Sequence, residues 1–474
     1  MMLSTRVAFF TQDQLELMKT RVFELLEKRG VKMDHPEVLN LMDKAGATVD
    51  FDSKIVCFAK DFLEAQVSQA PTNISLTGRN GANGVKIPRD DGTFHTRTNT
   101  GAQSWIDLES GKYRRITASD VVDWARLADR LGEISICAFP VPGDVSTATP
   151  DVHALNLMLQ NSEKHIWVQP YTKESVDYLI HLAIAAAGGE QALHVNPLVS
   201  FITCSLTPLE FKSMDLDIIL KCARNGIPLH ACSLPGAGAT APITVPGVVI
   251  LSVAEILAML AAAQVIQPGT PVIATPLIFS TDMMTGRSLQ SSAESMQGAA
   301  LAVQFIKAAF GIPTHTYGIG SDSPIMDGQC MSEGALRCML IGLSGADILG
   351  AAGQLEVATT ISPVQLAIDN EVLGAVRRMI ADKTFDDDSL AWSDLLTTEP
   401  GGNFLTGDHT LRHCRDGLMP TNFTRMSRED WNKGGQHDLV ARATKYCKEL
   451  LEKAAPPNLP DHVIREMDSI VERA

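Results

Sequence analysis

Eight short apolar or β-branched runs alternate with eight segments of helical periodicity between residues 96 and 381. The runs are TRTNTG (96–101), ISICAF (134–139), HIWVQP (165–170), LVSFIT (198–203), PLHACS (228–233), PVIATP (271–276), PTHTYG (313–318) and DILGAA (347–352). The helical segments extend from SDVVDWARLADRL (119–131) to VQLAIDNEVLGAVRRMIA (364–381). The regular alternation predicts eight strand–helix units in series.

Start and stop signals support these units. Pro208 ahead of Leu209 and Glu210 predicts that one helix begins there. Gly311 and Gly345 follow helical segments, where glycine commonly ends a helix. A doubly wound sheet is the competing arrangement, but it would place G-x-G-x-x-G after the first strand, and the sequence has no such motif there.

Eight units therefore predict an α/β fold of the (β/α)₈ or TIM-barrel type, which typically has about 250 residues. We place the barrel at residues 96–382, with an N-terminal α/β cap at 1–95 and a C-terminal helical extension at 383–474. Within the cap we expect helices at 13–28, 36–45 and 59–69. The extension has a Gly-, Asp- and Pro-rich stretch before a charged helix, and we expect it to be used in homo-oligomer contacts.

Charge and cysteine usage exclude several classes of protein. The net charge of −15 argues against nucleic-acid binding and gives no reason to expect binding to an anionic membrane. Nine scattered cysteines without a CxxC pair indicate reduced thiols in a cytoplasmic protein. The N-terminus lacks an apolar run long enough for a signal peptide. We interpret the apolar stretch at 248–266, which contains Glu255 and Gln264, as a buried helix.

In this fold, chemistry gathers at the carboxyl ends of the strands. The residues at these ends are mainly amides, hydroxyls and aromatic rings. None of these ends has a lysine, which disfavours a Schiff-base aldolase, and no His, Asp and Glu cluster converges, so we expect no metal site. The loop LPGAGAT (234–240) could cradle a phosphate, but it follows the fifth strand, whereas barrel phosphate sites usually follow strands seven and eight.

Two long stretches resemble a known family. They are TRTNTGAQSWIDLESGKYRRIT (96–117) and YGIGSDSPIMDGQCMSEGALRCMLIGLSGADILGAAGQLEVATTISPVQLAIDNEVLGAVRR (317–378). Both are similar to the corrinoid-dependent trimethylamine methyltransferase family, and the similarity extends through nearly the whole chain. The resemblance implies a TIM barrel that moves a methyl group from an amine to the Co(I) corrinoid of a separate partner protein, with no cofactor bound tightly to this chain.

Founding members of that family carry pyrrolysine, whereas this chain has only ordinary residues. The resemblance is therefore to the pyrrolysine-free branch, and implies a small quaternary amine, with glycine betaine our first expectation. Methyl transfer to Co(I) is an SN2 displacement. A quaternary ammonium already carries the charge that makes its nitrogen a good leaving group, so the protein would mainly need to position the methyl group.

Such a substrate predicts aromatic faces and a carboxylate around its ammonium group, and donors for its carboxylate. The candidate rings are Tyr317, Phe279, Tyr171 and Phe139, and the candidate charges are Glu356 and Asp322. The candidate carboxylate donors are His230, Asn99, Gln103, Gln354 and the backbone of 235–240. His230 is equally compatible with a core histidine, and Asp322 with a turn cap.

Two other functions stay open on the sequence. One is a folate-dependent barrel methyltransferase, which would need a pterin pocket of buried Asp or Asn with Lys or Arg that the strand ends do not supply. The other is a barrel that binds quaternary amines without turning them over, as a sensor. Detection of a demethylated product would distinguish an enzyme from a sensor.

Overall fold

The computed structural model describes residues 7–79, 84–457 and 459–474. In these residues the helices are α1 (Gln12–Lys28), α2 (Pro36–Ala45), α3 (Lys60–Gln69), α4 (Ala118–Arg130), α5 (Pro150–Asn161), α6 (Ser175–Ala187), α7 (Glu190–Val195), α8 (Ser213–Arg224), α9 (Val245–Ile266), α10 (Ala293–Phe310), α11 (Gly328–Ser344), α12 (Pro363–Ile380), α13 (Trp392–Thr397), α14 (Asp408–His413), α15 (Arg428–Lys433), α16 (Leu439–Glu452) and α17 (Asp461–Glu472). The strands are β1 (Val31–Met33), β2 (Thr48–Asp50), β3 (Ile55–Cys57), β4 (Ile74–Leu76), β5 (Val85–Ile87), β6 (His95–Thr98), β7 (Ser104–Ile106), β8 (Tyr113–Arg115), β9 (Ile136–Ala138), β10 (His165–Val168), β11 (Val199–Cys204), β12 (Glu210–Phe211), β13 (Leu229–Ser233), β14 (Gly236–Ala237), β15 (Val272–Pro276), β16 (Phe279–Thr281), β17 (Ser288–Leu289), β18 (His315–Tyr317), β19 (Ile348–Ala352), β20 (Gln354–Leu355) and β21 (Thr360–Ile361).

Eight parallel strands form the barrel. Their order around it is β6, β9, β10, β11, β13, β15, β18 and β19, which is also their order along the chain. The ring closes between β15 and β18, where Ala274 pairs with Thr314 and its N–H donates to the carbonyl of Pro313 at 2.9 Å. Each strand overlaps one of the eight predicted runs. The predicted (β/α)₈ fold is therefore confirmed.

The outer helices begin and end largely where local signals place them. Thr117 and Asp120 form a capping box at the start of α4, each side chain accepting from the other residue's N–H. Gly311 and Gly345 end α10 and α11 in the left-handed conformation, which glycine adopts without steric cost. These ends confirm the glycine stop signals read from the sequence.

The helix predicted to begin at Leu209 begins instead at Ser213. Glu210 and Phe211 form β12, which pairs in parallel with Lys32 and Met33 of β1. The prediction was wrong because the pairing partner lies almost two hundred residues away in the chain, where a local pattern cannot register it. The pairing ties the N-terminal region to a loop at the carboxyl end of β11.

Helix α9 is long and apolar enough to cross a membrane by length and composition. However, 83% of its most apolar window is buried inside the protein. It packs between α8 and α10, and its outer side is covered by α1, α2 and α3. Its apolar character on every side follows from this double coverage, as expected for a buried helix.

The β4–β5 hairpin fills the amino-terminal end of the barrel. Its side chains Ile74, Leu76 and Ile87 are buried against inward-facing strand residues such as Ile136 and Ile348. Backbone carbonyls of the same segment also receive the barrel histidines: the carbonyl of Thr77 lies 3.0 Å from His165 Nδ1, and that of Lys86 lies 2.7 Å from His95 Nε2. The barrel interior is thus closed at this end, and the carboxyl ends of the strands lie at the other.

The C-terminal region consists of two packed helices and a long connection. Helix α16 packs on α12 and α4, and α17 packs on α5 and α6. Between α12 and α16, the short helices α13, α14 and α15 bury no residue. Residues 384–426 of this connection are called the arm below.

Candidate active site

A cleft of about 500 Å³ lies at the carboxyl ends of the barrel strands. It is lined by Thr100, Gly101, Gln103, Ser104, Tyr113, Arg115, Gln169, Tyr317, Val357, Ala358 and Thr359. Gln103, Arg115 and Thr359 are exposed, so the cleft opens to solvent. This is the position at which TIM-barrel enzymes carry their active sites.

One wall of the cleft is the β7–β8 hairpin, which follows β6. The hairpin joins β21 in a small sheet, with Ser104 beside Thr360. Ser104 Oγ lies 2.7 Å from the hydroxyl of Tyr113, and Arg115 donates to Gln103 Oε1 at 2.8 Å. These side-chain contacts hold a polar rim, and Arg115 adds a positive charge to it.

The loop that leads into β21, beside this hairpin, contains three consecutive residues other than glycine in the left-handed conformation. Glu356, Val357 and Ala358 have φ values of 48°, 54° and 74°. Their geometry is held by hydrogen bonds from Glu356 N–H to the carbonyl of Ser323 at 3.1 Å and from Asn99 Nδ2 to the carbonyl of Ala358 at 3.2 Å. Left-handed backbone costs side-chain-bearing residues roughly 1–2 kcal/mol each, and such strain collects at functional sites.

Tyr317 lines the floor of the cleft, and Phe279 packs against it from outside the described lining. Tyr317 is half-buried and its ring meets the ring of Phe279 edge-on, with centroids 6.3 Å apart and planes at 85°. Burial raises the pKa of Tyr317 to about 12, so its hydroxyl is protonated at neutral pH. Phe279 also borders a shallower depression of about 390 Å³ beside the β13 loop. The two rings offer apolar, electron-rich faces at the strand ends.

A buried polar layer lies below this floor, inside the barrel. The Arg97 guanidinium stacks over Trp167 at 4.2 Å from the ring centroid and donates from Nε to His315 Nε2 at 3.1 Å. His315 in turn packs edge-on against His230, with centroids 5.2 Å apart. In the described part of the chain, Arg97 Nη2, Trp167 Nε1, His230 Nδ1 and His315 Nδ1 are buried and have no hydrogen-bond partner.

Arg97 is fully buried, and among the described residues no carboxylate acts on it. Desolvation lowers the pKa of Arg97 to about 10, so the guanidinium is still cationic at neutral pH. Desolvation also holds the pKa of His230 and His315 well below the ordinary histidine value, which keeps both rings neutral. The layer therefore carries a single positive charge, and a buried charge without a partner is costly unless a ligand or solvent compensates it.

The charge of Arg97 also reaches the cleft floor. It acts on Tyr317, where it partly offsets the effect of burial on the pKa of the phenol. His315 and Tyr317 are two residues apart on β18, so their side chains lie on the same face of the strand. Both face the barrel interior, in successive layers of side chains. A small anion at the cleft floor would therefore meet the field of Arg97.

A buried carboxylate, Glu255, organises the neighbouring loops. Glu255 of α9 is fully buried and accepts from the hydroxyls of Ser205, Thr207 and Ser233 at 2.5, 2.9 and 2.6 Å. Its other oxygen accepts from the N–H of Leu209 at 2.7 Å. The chain segments that follow β11 and β13 are thereby tied to one point behind the barrel wall.

Asp369 anchors the start of the strained loop. It is buried, and accepts from the N–H of Gly353 and from Gln365 Nε2, both at 2.7 Å. Burial raises the pKa of Asp369 to about 7. Gly353 itself is left-handed and lies against Trp124, where an added Cβ would come within 2.5 Å of the ring.

This shift predicts a pH-dependent stability. Because the folded state holds the Asp369 proton more tightly than the unfolded state, its contribution is fully present below about pH 4 and is lost as the pH rises through about 7. Asp369→Asn, which does not titrate, should therefore show a melting temperature that falls less than that of the wild type between pH 5 and pH 8. Parallel pH profiles for the two proteins would contradict the prediction.

The structure places some predicted site residues at the cleft. Tyr317 and Gln103 line it, Phe279 packs against Tyr317, and Asn99 supports its wall. Tyr171 lies just behind the wall: a Cβ added to Gly101 would come within 3.2 Å of its hydroxyl. That hydroxyl is buried without a hydrogen-bond partner among the described residues, and burial raises its pKa.

Other predicted residues face elsewhere. Phe139 is fully buried between the strands and the outer helices, because Ala138 takes the inward position of β9. Asp322 accepts from the N–H groups of Gln290 and Ser291 at 3.2 and 2.9 Å, so its carboxylate holds a loop. The Glu356 carboxylate accepts from Thr360 Oγ1 at 2.5 Å. Asp322 and Glu356 are absent from the described lining of the cleft, and their predicted charge roles stay predictions.

Two further predictions concern buried groups. His230 lies in the polar layer below the cleft, with Nε2 at 3.0 Å from Ser200 Oγ. Gln354 is fully buried beside Gly320, and neither of its amide atoms has a partner among the described residues. The sequence reading missed Arg97, Trp167 and His315, although a basic residue inside a buried strand was a signal for the first.

One cluster of possible metal ligands lies far from this cleft in the chain. Asp388, His409 and His413 come within 4.8 Å of one another in the arm. Their hydrogen bonds and the ion pair from Arg412 to Asp388 at 2.7 Å already account for the cluster. The absence of a metal from the active site stays a prediction.

The fold and the cleft together define a TIM-barrel enzyme that acts on a small molecule. A family model described as trimethylamine methyltransferase (MTTB) matches residues 3–474. The trimethylamine methyltransferase MttB of Desulfitobacterium hafniense is 29% identical over 470 residues, covering 98% of this chain and 94% of that protein. The glycine betaine methyltransferase of Desulfitobacterium hafniense strain Y51 is 27% identical over 465 residues, covering 97% and 96%.

A solved structure shares the fold. The monomethylamine methyltransferase (MtmB) of Methanosarcina barkeri aligns with a TM-score of 0.58 at 13% identity, over 96% of this chain and 90% of that one. The chain belongs to the trimethylamine methyltransferase (MTTB) family and is a methyltransferase of that family. The resemblance read from the two sequence stretches is thereby confirmed.

Proposed function

We propose that this methyltransferase takes its methyl group from a small quaternary amine that carries a carboxylate, glycine betaine, and leaves dimethylglycine. The observation that carries the proposal is Arg97, a buried cation without an acidic partner among the described residues, below an aromatic floor. A relative named for glycine betaine is similar over nearly the whole chain, and one named for trimethylamine is equally so. Our choice between the two substrates therefore rests on the chemistry of the site.

The charges at the cleft favour a zwitterion over a simple cation. Arg97 below the floor and Arg115 on the rim are both positive, and the described lining contains no Asp or Glu. A cation alone would be repelled, whereas glycine betaine brings a carboxylate that can turn towards Arg97. Its trimethylammonium group would then contact the faces of Tyr317 and Phe279, at ~0.5–2 kcal/mol per ring.

The same orientation suits the displacement reaction. A Co(I) corrinoid carried by a separate protein would supply the nucleophile, approaching from the open mouth. With the carboxylate turned down to Arg97, an N-methyl group points up to the mouth, and the departing dimethylglycine lies on the far side of the carbon. The residues of this chain thus act by aligning the substrate.

The site has little means of protonating a leaving amine. His230 and His315 are neutral with strongly lowered pKa values, and Tyr317 holds its proton. A quaternary nitrogen leaves as a neutral amine and needs no proton, so the scarcity of acids fits such a substrate. Trimethylamine is cationic only while it is protonated, so its demethylation depends on a proton that a quaternary nitrogen does not need.

The proposal is tested with the purified chain, photoreduced or chemically reduced cob(I)alamin, and a panel of amines. Dimethylglycine measured by mass spectrometry should form from glycine betaine in step with loss of the Co(I) absorbance. Choline and trimethylamine should react at least tenfold more slowly. Equal rates with trimethylamine would refute the assignment, and binding of glycine betaine without any product would favour the sensor.

A further inference from the structure

A second cavity, of about 280 Å³, lies behind the β7–β8 hairpin. Its volume is close to the ~300 Å³ at which ligand pockets begin. It is bounded by the hairpin, by α4, by the start of α12 and by α16 of the C-terminal region. None of its described lining residues belongs to the lining of the active-site cleft. The cavity is therefore a separate compartment, and the function proposed above leaves it without a role.

The β7–β8 hairpin is a wall shared by the cleft and this cavity. Side chains along a strand alternate between its two faces. Ser104, Tyr113 and Arg115 line the cleft. Trp105 and Arg114, which pair across the two strands, line the cavity. A molecule bound in the cavity would thus contact the immediate chain neighbours of residues on the cleft rim.

The charges around the cavity are unbalanced. Five carboxylates and two cationic side chains line it. Arg114 pairs with Asp107 and Asp120, at 2.9 and 2.6 Å. Lys448 of α16 pairs with Glu109 of the hairpin at 2.6 Å. Both cations are therefore used within the wall, and two carboxylates are left over for a bound cation.

The carboxylates left over are those of Asp123 on α4 and Glu452 on α16. Among the described residues, neither forms a hydrogen bond or an ion pair. Asp123 is half-buried, and Arg126, the next cation along α4, instead donates to Asn161 at 3.0 Å. Burial and the neighbouring Asp120 raise the pKa of Asp123. A cation bound beside Asp123 would relieve this unfavourable charge.

Trp105 supplies an aromatic wall and an unused donor. It is only 2% exposed, and it lines this cavity. The ring of Trp124 meets it edge-on at 6.0 Å, and Trp124 Nε1 donates to the carbonyl of Ala138 at 3.1 Å. Trp105 Nε1, in contrast, has no hydrogen-bond partner among the described residues. Because a buried indole N–H usually has a partner, a ligand oxygen in the cavity would be the acceptor that this group lacks.

We propose that this cavity is an effector site for a small organic ammonium compound that also carries an oxygen acceptor, such as an amino alcohol. The ammonium group would lie against the ring of Trp105, near Asp123 and Glu452, and the oxygen would accept from Trp105 Nε1. The excess of acidic groups disfavours a ligand that carries a carboxylate. The cleft has the opposite charge, since its described lining contains Arg115 and no Asp or Glu. The two sites therefore select different ligands.

Choline is the probe, because it joins a trimethylammonium group to a hydroxyl. Titration calorimetry with the purified chain should show binding, and Asp123→Asn should weaken it by about fivefold or more. The neutral analogue of choline that has carbon in place of nitrogen should not bind measurably. Glu449→Gln removes a carboxylate from α16 outside the cavity lining, and this control should bind choline as the wild type does.

A measurement on the unmodified chain covers the case in which Asp123→Asn fails to fold. Helix α16 borders this cavity and has no described residue in the cleft lining. Choline should therefore slow the hydrogen exchange of backbone amides in α16 of the wild type. It should also change the KM of the amine that the turnover assay identifies as substrate, by about fivefold or more. That change should disappear in Asp123→Asn.

Several results would overturn the proposal. They are the absence of choline binding, equal binding by the neutral analogue, unchanged affinity in Asp123→Asn, and unchanged exchange in α16. A KM that choline does not alter would refute the effector role. A change in KM that persists in Asp123→Asn would place choline in the cleft as a competitor. These outcomes do not depend on whether glycine betaine is the substrate, which the turnover assay tests.

Discussion

Arg97→Met is expected to weaken the binding of glycine betaine by about 30- to 1,000-fold, equivalent to about 2–4 kcal/mol. Methionine fills much of the same volume beside Trp167 but removes the charge that the substrate carboxylate would meet. Choline has the same trimethylammonium group without a carboxylate, and its weak binding should change by less than about threefold. Titration calorimetry with both ligands measures the difference, and KM for glycine betaine should rise in parallel.

The melting temperature of Arg97→Met provides a second test, because it should not fall although the affinity for glycine betaine does. Arg97 has no acidic partner among the described residues, so its removal from the ligand-free protein should leave the melting temperature unchanged or raise it. Saturating glycine betaine should raise the melting temperature of the wild type and not that of the variant. Equal losses of affinity for glycine betaine and choline would show that Arg97 acts by general packing.

Glu255→Leu is expected to destabilise the fold by about 3–5 kcal/mol, because buried donors left without an acceptor cost about 1–3 kcal/mol each. Three hydroxyls and one N–H would lose their common acceptor in the dry space behind β11 and β13. Thermal melts and urea unfolding measure the loss. The loops beside the cleft should loosen as well, which limited proteolysis near residues 205–209 would detect.

Glu255→Gln serves as the matched variant. Glutamine keeps one acceptor oxygen and the side-chain length, so it should lose less stability than leucine does. If the Glu255→Leu variant proves as stable as the wild type, the hydroxyls of Ser205, Thr207 and Ser233 must hydrogen-bond to one another. In that case the Glu255 network does not hold the loops.

The fold was predictable because its signals are local and repeated. Most barrel strands are short apolar or β-branched runs, and several helices have a cap of their own, as Thr117 and Gly311 show. The failure at Leu209 has a non-local cause, since Glu210 pairs with Lys32. Sequence periodicity records what a segment prefers by itself and does not record a partner supplied by a distant segment.

The site was less predictable, because position at a strand end does not settle the direction of a side chain. Phe139 and Ala138 are neighbours, yet alternation along β9 sends only Ala138 into the barrel. Applied to β6, the same alternation would have placed Arg97 inside with Asn99. The roles of Asp322 and Glu356 depended on which N–H and hydroxyl groups meet them, and these come from other loops.

Among the described residues, the β4–β5 hairpin fills the amino-terminal end of the barrel and leaves the cleft at the carboxyl ends of the strands as the entrance for substrate. A partner protein that brings a corrinoid to this entrance would cover the entrance while it is bound. The amine must then enter before the protein arrives, and the demethylated amine can depart only after it has withdrawn. Turnover would follow a compulsory order, and a large excess of the visiting protein would slow the cycle by occupying empty barrels.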